Sequence, residues 1–114
     1  MACFRVDQIA ILYDPRFIQL YQQGEPYGVG NEEPLFEVCA VLNCWNYVGR
    51  RSKAHLHLEL ADTSASLVCK WWFHGLENPE EKLIIGGQIC VVGTYDYVDR
   101  ELKCLGIKEI GAVF

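Results

Sequence analysis

The sequence predicts an all-β protein with short helices: one small five-stranded barrel preceded by an N-terminal helical extension. Its 114 residues suit a single domain, and 51% of them are hydrophobic, enough to fill a core. Between Ala54 and Leu60 apolar and polar residues alternate strictly, which is typical of a half-buried strand. Four more strand-like segments surround this one, and one short helical segment interrupts them.

The predicted N-terminal extension, residues 1–34, carries one short helix over 15–23. Asp14 is a typical N-cap, and Pro15 suits the first helical position because that backbone N–H is not needed there. Apolar residues then recur at helical spacing until a glycine ends the pattern. Residues 24–34 contain three glycines and two prolines, so we expect a loop.

The predicted barrel domain, residues 35–114, follows the order of three strands, a short helix and two strands. The strands are predicted over 35–47, 54–60, 67–73, 88–97 and 100–110. The first is long for one strand, so we expect a bulge within it. Asn78 and Pro79 predict the start of the helix, over about 79–85. This order is that of an OB-fold; an SH3-like barrel is the alternative, but it usually lacks the inserted helix.

Composition excludes several classes of function. Fifteen acidic residues against ten lysines and arginines give a net charge of −5, which excludes a protein that holds nucleic acid by bulk positive charge. A local basic strip remains compatible with that balance. The apolar stretches fall short of the ~20 residues that a membrane span needs, and the first residues lack the apolar core of a signal peptide. We therefore expect no membrane partner.

Six cysteines invite two interpretations. An even number suits a disulfide framework in a secreted protein, but the expected reducing compartment favours free thiols, most of them small buried hydrophobic residues. The sequence offers four residues of the types that bind zinc: Cys39, Cys44, His55 and His57. The two cysteines are an odd number of positions apart and would face opposite sides of a regular strand, so we expect no metal and no other cofactor.

Four segments together resemble one family of OB-fold subunits. Residues 62–72 resemble the turn and third strand of the middle subunit of replication protein A and of its telomeric counterpart in the CST complex. Residues 87–94 and 102–110 resemble the last hairpin of that family, and 14–17 look more like the telomeric member. A subunit of the insect telomere-capping complex terminin is also similar. The chain departs from the pattern at Ala65, where the family has a turn glycine.

The resemblance implies a nuclear, non-catalytic subunit of a heteromeric complex at chromosome ends, which binds single-stranded DNA and another OB-fold or telomere-capping subunit. Members of the family continue into a partner-binding helix beyond the position of Phe114. The way in which this chain binds its partner therefore stays open. The sequence contains no glycine-rich nucleotide-binding loop and no hydrolase motif, so we do not expect an enzyme. Two alternatives stay open: a protein-interaction module without nucleic-acid binding, and a general replication subunit.

Strand alternation predicts the nucleic-acid face. If the leucines of the second barrel strand face the core, His55 and His57 lie on the outer face, beside Lys70 and Trp72 of the third strand. A base can stack on an exposed indole, and an ammonium group can contact the phosphate. The alternative is that Trp72 lies in the core and Trp71 is exposed, because a bulge reverses the alternation.

Two loops add candidate contacts. Arg50, Arg51 and Lys53 form a basic turn between the first two barrel strands, which either contacts DNA or is an ordinary solvated turn. Tyr95 and Tyr97 flank the last turn of the barrel, where they serve either as stacking platforms or as packing lids.

Overall fold

The computed structural model describes residues 3–28, 30–49 and 53–111 of the chain. These residues form six strands: β1 (Cys3–Val6), β2 (Leu35–Val48), β3 (His55–Ala61), β4 (Ser66–Trp71), β5 (Gln88–Asp96) and β6 (Glu101–Ile110). Between them lie a 3₁₀ helix (Ile9–Tyr13) and two α-helices, α1 (Pro15–Gln23) and α2 (Pro79–Lys82). In the ranges given above, no helix has the length and apolarity to cross a bilayer.

Strands β2 to β6 close into a barrel. β2 pairs antiparallel with β5 along its first half and with β3 along its second, and the register shifts between Leu42 and Cys44. β4 pairs with β3 on one side and, in parallel, with β6 on the other, while β6 pairs with β5. This is the closed five-stranded topology of an OB-fold, and the predicted fold class and the bend in the long strand are confirmed. β1 lies outside the barrel, parallel to the start of β2.

The barrel interior is filled by alternate residues of its strands. Leu56, Leu58 and Leu60 of β3 are fully buried, as predicted from the alternation. Leu67 and Cys69 of the neighbouring strand β4 are register partners of Leu60 and Leu58 and are buried beside them. Because successive side chains of a strand point to opposite faces, this packing also determines which side chains lie outside.

The N-terminal helix forms as predicted and packs against the same core. The Asp14 side chain accepts a hydrogen bond from the backbone N–H of Arg16 at 2.8 Å, and Gly24 ends the helix. Tyr21 is buried, and Ile9 and Leu12 of the 3₁₀ helix join the barrel leucines in one hydrophobic cluster. The extension therefore covers part of the barrel core instead of lying apart from it.

The second helix is shorter than predicted. It ends at Lys82 instead of near residue 85, because Leu83 adopts an extended conformation and buries its side chain in the core. Asn78 occupies the predicted N-cap position and Pro79 begins the helix as predicted, but the side chain of Asn78 does not cap it. The backbone of Asn78 is left-handed, with φ of 51°.

The prediction that most of the cysteines are buried free thiols is wrong, because Cys3 and Cys44 are exposed and two others are bonded to each other. Cys39 of β2 and Cys90 of β5 are register partners with Cα atoms 4.0 Å apart, and they form a disulfide. Facing residues of an antiparallel pair lie close enough for such a bond, but strand order is not visible in the local sequence. Of the other described cysteines, all free thiols, Cys69 and Cys104 are buried as expected.

Asp62 joins the 3₁₀ helix to the turn between β3 and β4. One carboxylate oxygen accepts from the backbone N–H of Ile9 at 2.8 Å, and the other accepts from the N–H groups of Ser64 and Ala65. Partial burial raises the pKa of Asp62, but a hydrogen bond from the Ser64 hydroxyl together with these backbone bonds outweighs it and lowers the pKa to about 2. The carboxylate therefore stabilises the packing of the N-terminal segment.

We expect Asp62→Asn to destabilise the protein by about 1–2 kcal/mol at neutral pH, since the amide NH₂ cannot accept from the helix. The native pKa lies below the ~3.9 of an unfolded aspartate, so the stabilisation is complete above about pH 4 and is lost toward pH 2. Urea unfolding at several pH values measures it. The stability difference from wild type should narrow as the pH falls. Exposed Asp7→Asn is the control, and a pH-independent difference would contradict the assignment.

Gly93 of β5 lies directly against the backbone of β6. A Cβ added there would overlap the backbone carbonyl of Lys103, whereas a Cβ on Gly106, in the facing strand, would meet nothing within 4 Å. Glycine at position 93 therefore permits the tight pairing that closes the barrel.

Gly93→Ala is expected to destabilise the protein by about 3 kcal/mol, because backbone atoms must shift to admit the methyl group. Gly106→Ala is the matched control, with an expected change between zero and a stabilisation of about 1 kcal/mol. Chemical unfolding of the two variants provides the measurement. If the two variants are equally stable, the close approach of β5 and β6 at Gly93 does not constrain closure of the barrel.

Candidate nucleic-acid interface

The outer face of β3 and β4 carries the polar side chains that alternation predicts. His57 and Lys70 are register partners on neighbouring strands, opposite the buried leucines. The Lys70 ammonium lies 3.1 Å from the carboxylate of Glu101 on β6. On β3, Glu59 accepts a hydrogen bond from the thiol of Cys44 at 3.3 Å. The face is thus mixed in charge, and its lysine already has a partner.

An aromatic cluster lies at the end of β4. Trp71 is buried, whereas Trp72 and Phe73 are 50% and 80% exposed, which confirms the orientation predicted for the two tryptophans. The His55 ring lies 4.7 Å from the Trp72 ring and 4.5 Å from the Phe73 ring, in edge-to-face contacts. The Phe73 backbone N–H also donates to Nδ1 of His55 at 3.0 Å. His55 therefore positions both exposed rings.

Phe73 is the candidate residue that sequence reasoning missed. It was predicted as the end of the third barrel strand, but β4 ends at Trp71 and Phe73 has a φ of 53°, which turns the chain. The sequence does contain a signal for an exposed ring, namely three consecutive aromatic residues. Because alternate residues share a face of a strand, one face can bury at most two of the three. The turn leaves the third ring in solvent.

The loop between β2 and β3 lies beside this cluster. The backbone N–H of His74 donates to the carbonyl of Ala54 at 2.9 Å, and the His74 ring contacts the Lys53 carbonyl at 2.6 Å. The exposed Lys53 ammonium lies 5.6 Å from the ring centre of Tyr47. The predicted contacts Arg50 and Arg51 lie outside the described residues.

The two tyrosines of the last turn do not join this surface. Tyr95 is 2% exposed, so its ring belongs to the core and cannot stack on a base; burial raises its pKa to about 12. The alternation along β5 that buries Val91 continues through Tyr95. Tyr97 is half-buried, packs edge-on against Tyr21 at 5.7 Å and donates its hydroxyl to Glu25 at 2.7 Å.

The arrangement can therefore stack bases and make a few phosphate contacts. It brings His55, Trp72 and Phe73 into one cluster, with Lys53 on the adjoining loop. Exposed aromatic rings of this kind bind single strands with little sequence preference, because every base has a π-face.

A family model described as the RecJ OB domain matches residues 8–99. The chain belongs to the RecJ OB domain family. The match includes the N-terminal helices, all of β2 to β5 and the aromatic cluster. No curated protein sequence matches this RecJ OB domain.

Two solved structures resemble the domain in fold. The crystal structure of yeast Stn1 and Ten1 superposes with a TM-score of 0.52 at 13% identity, over 99% of this chain and 63% of the other. A replication protein A heterotrimer bound to single-stranded DNA gives 0.47 at 12% identity, over 85% and 77%. The resemblance predicted from the sequence is confirmed at the level of the fold. The chain spans 63% of the length of the yeast chain it matches.

Proposed function

We propose that this RecJ OB domain is a non-catalytic subunit that contacts single-stranded DNA weakly and works within a heteromeric complex. The observation that carries the proposal is the pair of exposed rings, Trp72 and Phe73, held against His55 beside the loop of Lys53. Solvent-exposed aromatic side chains next to a cationic loop are the features that single-strand-binding OB-folds use.

The proposed mechanism is stacking assisted by few charges. Each base stacked on Trp72 or Phe73 contributes about 1–3 kcal/mol. Lys53 offers an ammonium group to the phosphates, while Lys70 must exchange its carboxylate partner on β6 to do so. His57 lies beside Lys70 and adds a hydrogen-bonding group. With a net charge of −5, such a site binds weakly.

A partner subunit supplies the remaining affinity in this proposal. The similar yeast structure holds two proteins together, Stn1 and Ten1, and residues 14–17 of this chain look more like the telomeric member of the family. We therefore propose an OB-fold or telomere-capping partner, and a nuclear location at chromosome ends. A general replication subunit is the alternative within the same fold.

Trp72→Ala is expected to weaken binding of a labelled oligothymidine by about 1–3 kcal/mol, because one stacked base loses its platform. Fluorescence anisotropy at low salt, with the purified chain, measures the affinity. Wild-type binding should fall only modestly as salt increases, since few phosphates are neutralised.

Phe4→Ala is the matched control, because Phe4 is an equally exposed ring on β1, outside the barrel. Its variant should bind like wild type. Two results would show that this surface does not contact DNA. One is that the wild-type chain shows no binding that weakens as salt is added. The other is that Trp72→Ala and Phe4→Ala bind the oligothymidine with the same affinity.

A second candidate function is protein interaction without DNA. An open groove of about 360 Å³ runs between β1 and α1, and the exposed side chains of Phe4, Ile11 and Leu20 line it. Contiguous exposed apolar residues often mark protein interfaces. Absence of oligothymidine binding by the wild-type chain would leave this function as the better account.

A further inference from the structure

A second pocket, of about 380 Å³, lies between α1, the loop that follows it and the turn after β5. Nothing in the proposed DNA contact uses it. Four tyrosines and three carboxylates are among the residues that line it, and apart from Tyr95 of the core they leave three rings and three carboxylates. These are Tyr21, Tyr27, Tyr97, Glu25, Glu33 and Asp96.

The three rings form walls at steep angles to one another. The ring centres of Tyr21 and Tyr27 are 5.2 Å apart with planes at 62°, and those of Tyr21 and Tyr97 are 5.7 Å apart at 69°. In these edge-to-face pairs the rings cover part of one another, and the partly exposed rings of Tyr27 and Tyr97 offer the pocket π-electron density, which attracts cations. The Tyr27 hydroxyl donates to the backbone carbonyl of Tyr21 at 2.7 Å, so this wall is tied to the helix.

Two of the carboxylates are oriented by the tyrosines themselves. The Tyr21 hydroxyl donates to Oε1 of Glu33 at 2.6 Å, and the Tyr97 hydroxyl donates to Oε1 of Glu25 at 2.7 Å. Each carboxylate is therefore held through one oxygen, and among the described residues its Oε2 accepts no hydrogen bond and so is available to a ligand. Asp96 has a structural role, because its Oδ1 accepts from the backbone N–H groups that follow it.

The electrostatics of the pocket favour a cation. Lys103 also lines it, but the carboxylates outnumber this amine, and across the described ranges Lys103 makes no ion pair with them. A phosphate group would be repelled. A planar guanidinium can stack on a tyrosine ring while its N–H groups donate to a carboxylate, which a compact ammonium group cannot do.

We propose that this pocket binds an arginine side chain presented by a partner protein. The guanidinium stacks against the half-buried rings of Tyr27 and Tyr97 and donates to Oε2 of Glu25 and of Glu33. The site is separate from the aromatic cluster at the end of β4, and it stands whether or not that cluster binds DNA.

The test uses the ¹⁵N-labelled full chain and N-acetyl-arginine amide as the probe, followed by NMR. Saturable shifts are expected at the backbone amides of Tyr27 and Tyr97. N-acetyl-citrulline amide, which has nearly the same shape without the charge, should shift them far less. Equal shifts with citrulline, equal affinity for N-acetyl-lysine amide, or saturable shifts of these amides by inorganic phosphate would overturn the proposal.

Glu25→Gln keeps an acceptor for the Tyr97 hydroxyl but removes the charge, so we expect arginine-amide affinity to fall by about threefold to tenfold. Glu33→Gln is an independent second variant with the same expectation. Glu80→Gln is the matched control, because Glu80 accepts the Tyr47 hydroxyl at 2.6 Å and does not line this pocket. Wild-type affinity in both pocket variants, or an equal loss in the control, would contradict the assignment.

Discussion

Closure of the barrel rests on β2, which changes neighbour along its length. Its first half pairs with β5 and its second half with β3, and the register shift between Leu42 and Cys44 marks the change. Gly93 of β5 is the register partner of Phe36 in that first half, and on its other side β6 lies so close that a side chain at position 93 would overlap the Lys103 carbonyl. These two local constraints bring strands from both ends of the barrel into one sheet.

Closure determines the surface chemistry, because an interior filled by leucines forces their neighbours outward. Leu56 and Leu58 face the core, so His55 and His57 face solvent. On β4 the same alternation buries Trp71. The strand ends at this residue, because the positive φ of Phe73 turns the backbone away. The proposed DNA contact is therefore a consequence of core packing and of one positive φ angle, rather than of a separate binding motif.

The domain separates two kinds of aromatic side chain by the charges beside them. At the end of β4, exposed rings lie next to a loop lysine, as suits a polyanion. At the other site, the tyrosines around α1 donate to Glu25 and Glu33, as suits a cation. With both proposed sites, this acidic protein has two surfaces of opposite preference, one for nucleic acid and one for a protein side chain.

Local patterns in the sequence predicted the elements whose causes are local. The Asp14 cap, the alternation of β3, the outward Lys70 and the order of elements that defines the OB-fold are all confirmed. Tertiary structure decided what depends on distant segments: the disulfide between β2 and β5, the burial of Tyr95, and the cluster in which His55 holds two rings. The physical reason is that side-chain periodicity belongs to a single strand, whereas register and closure come from pairing between strands tens of residues apart.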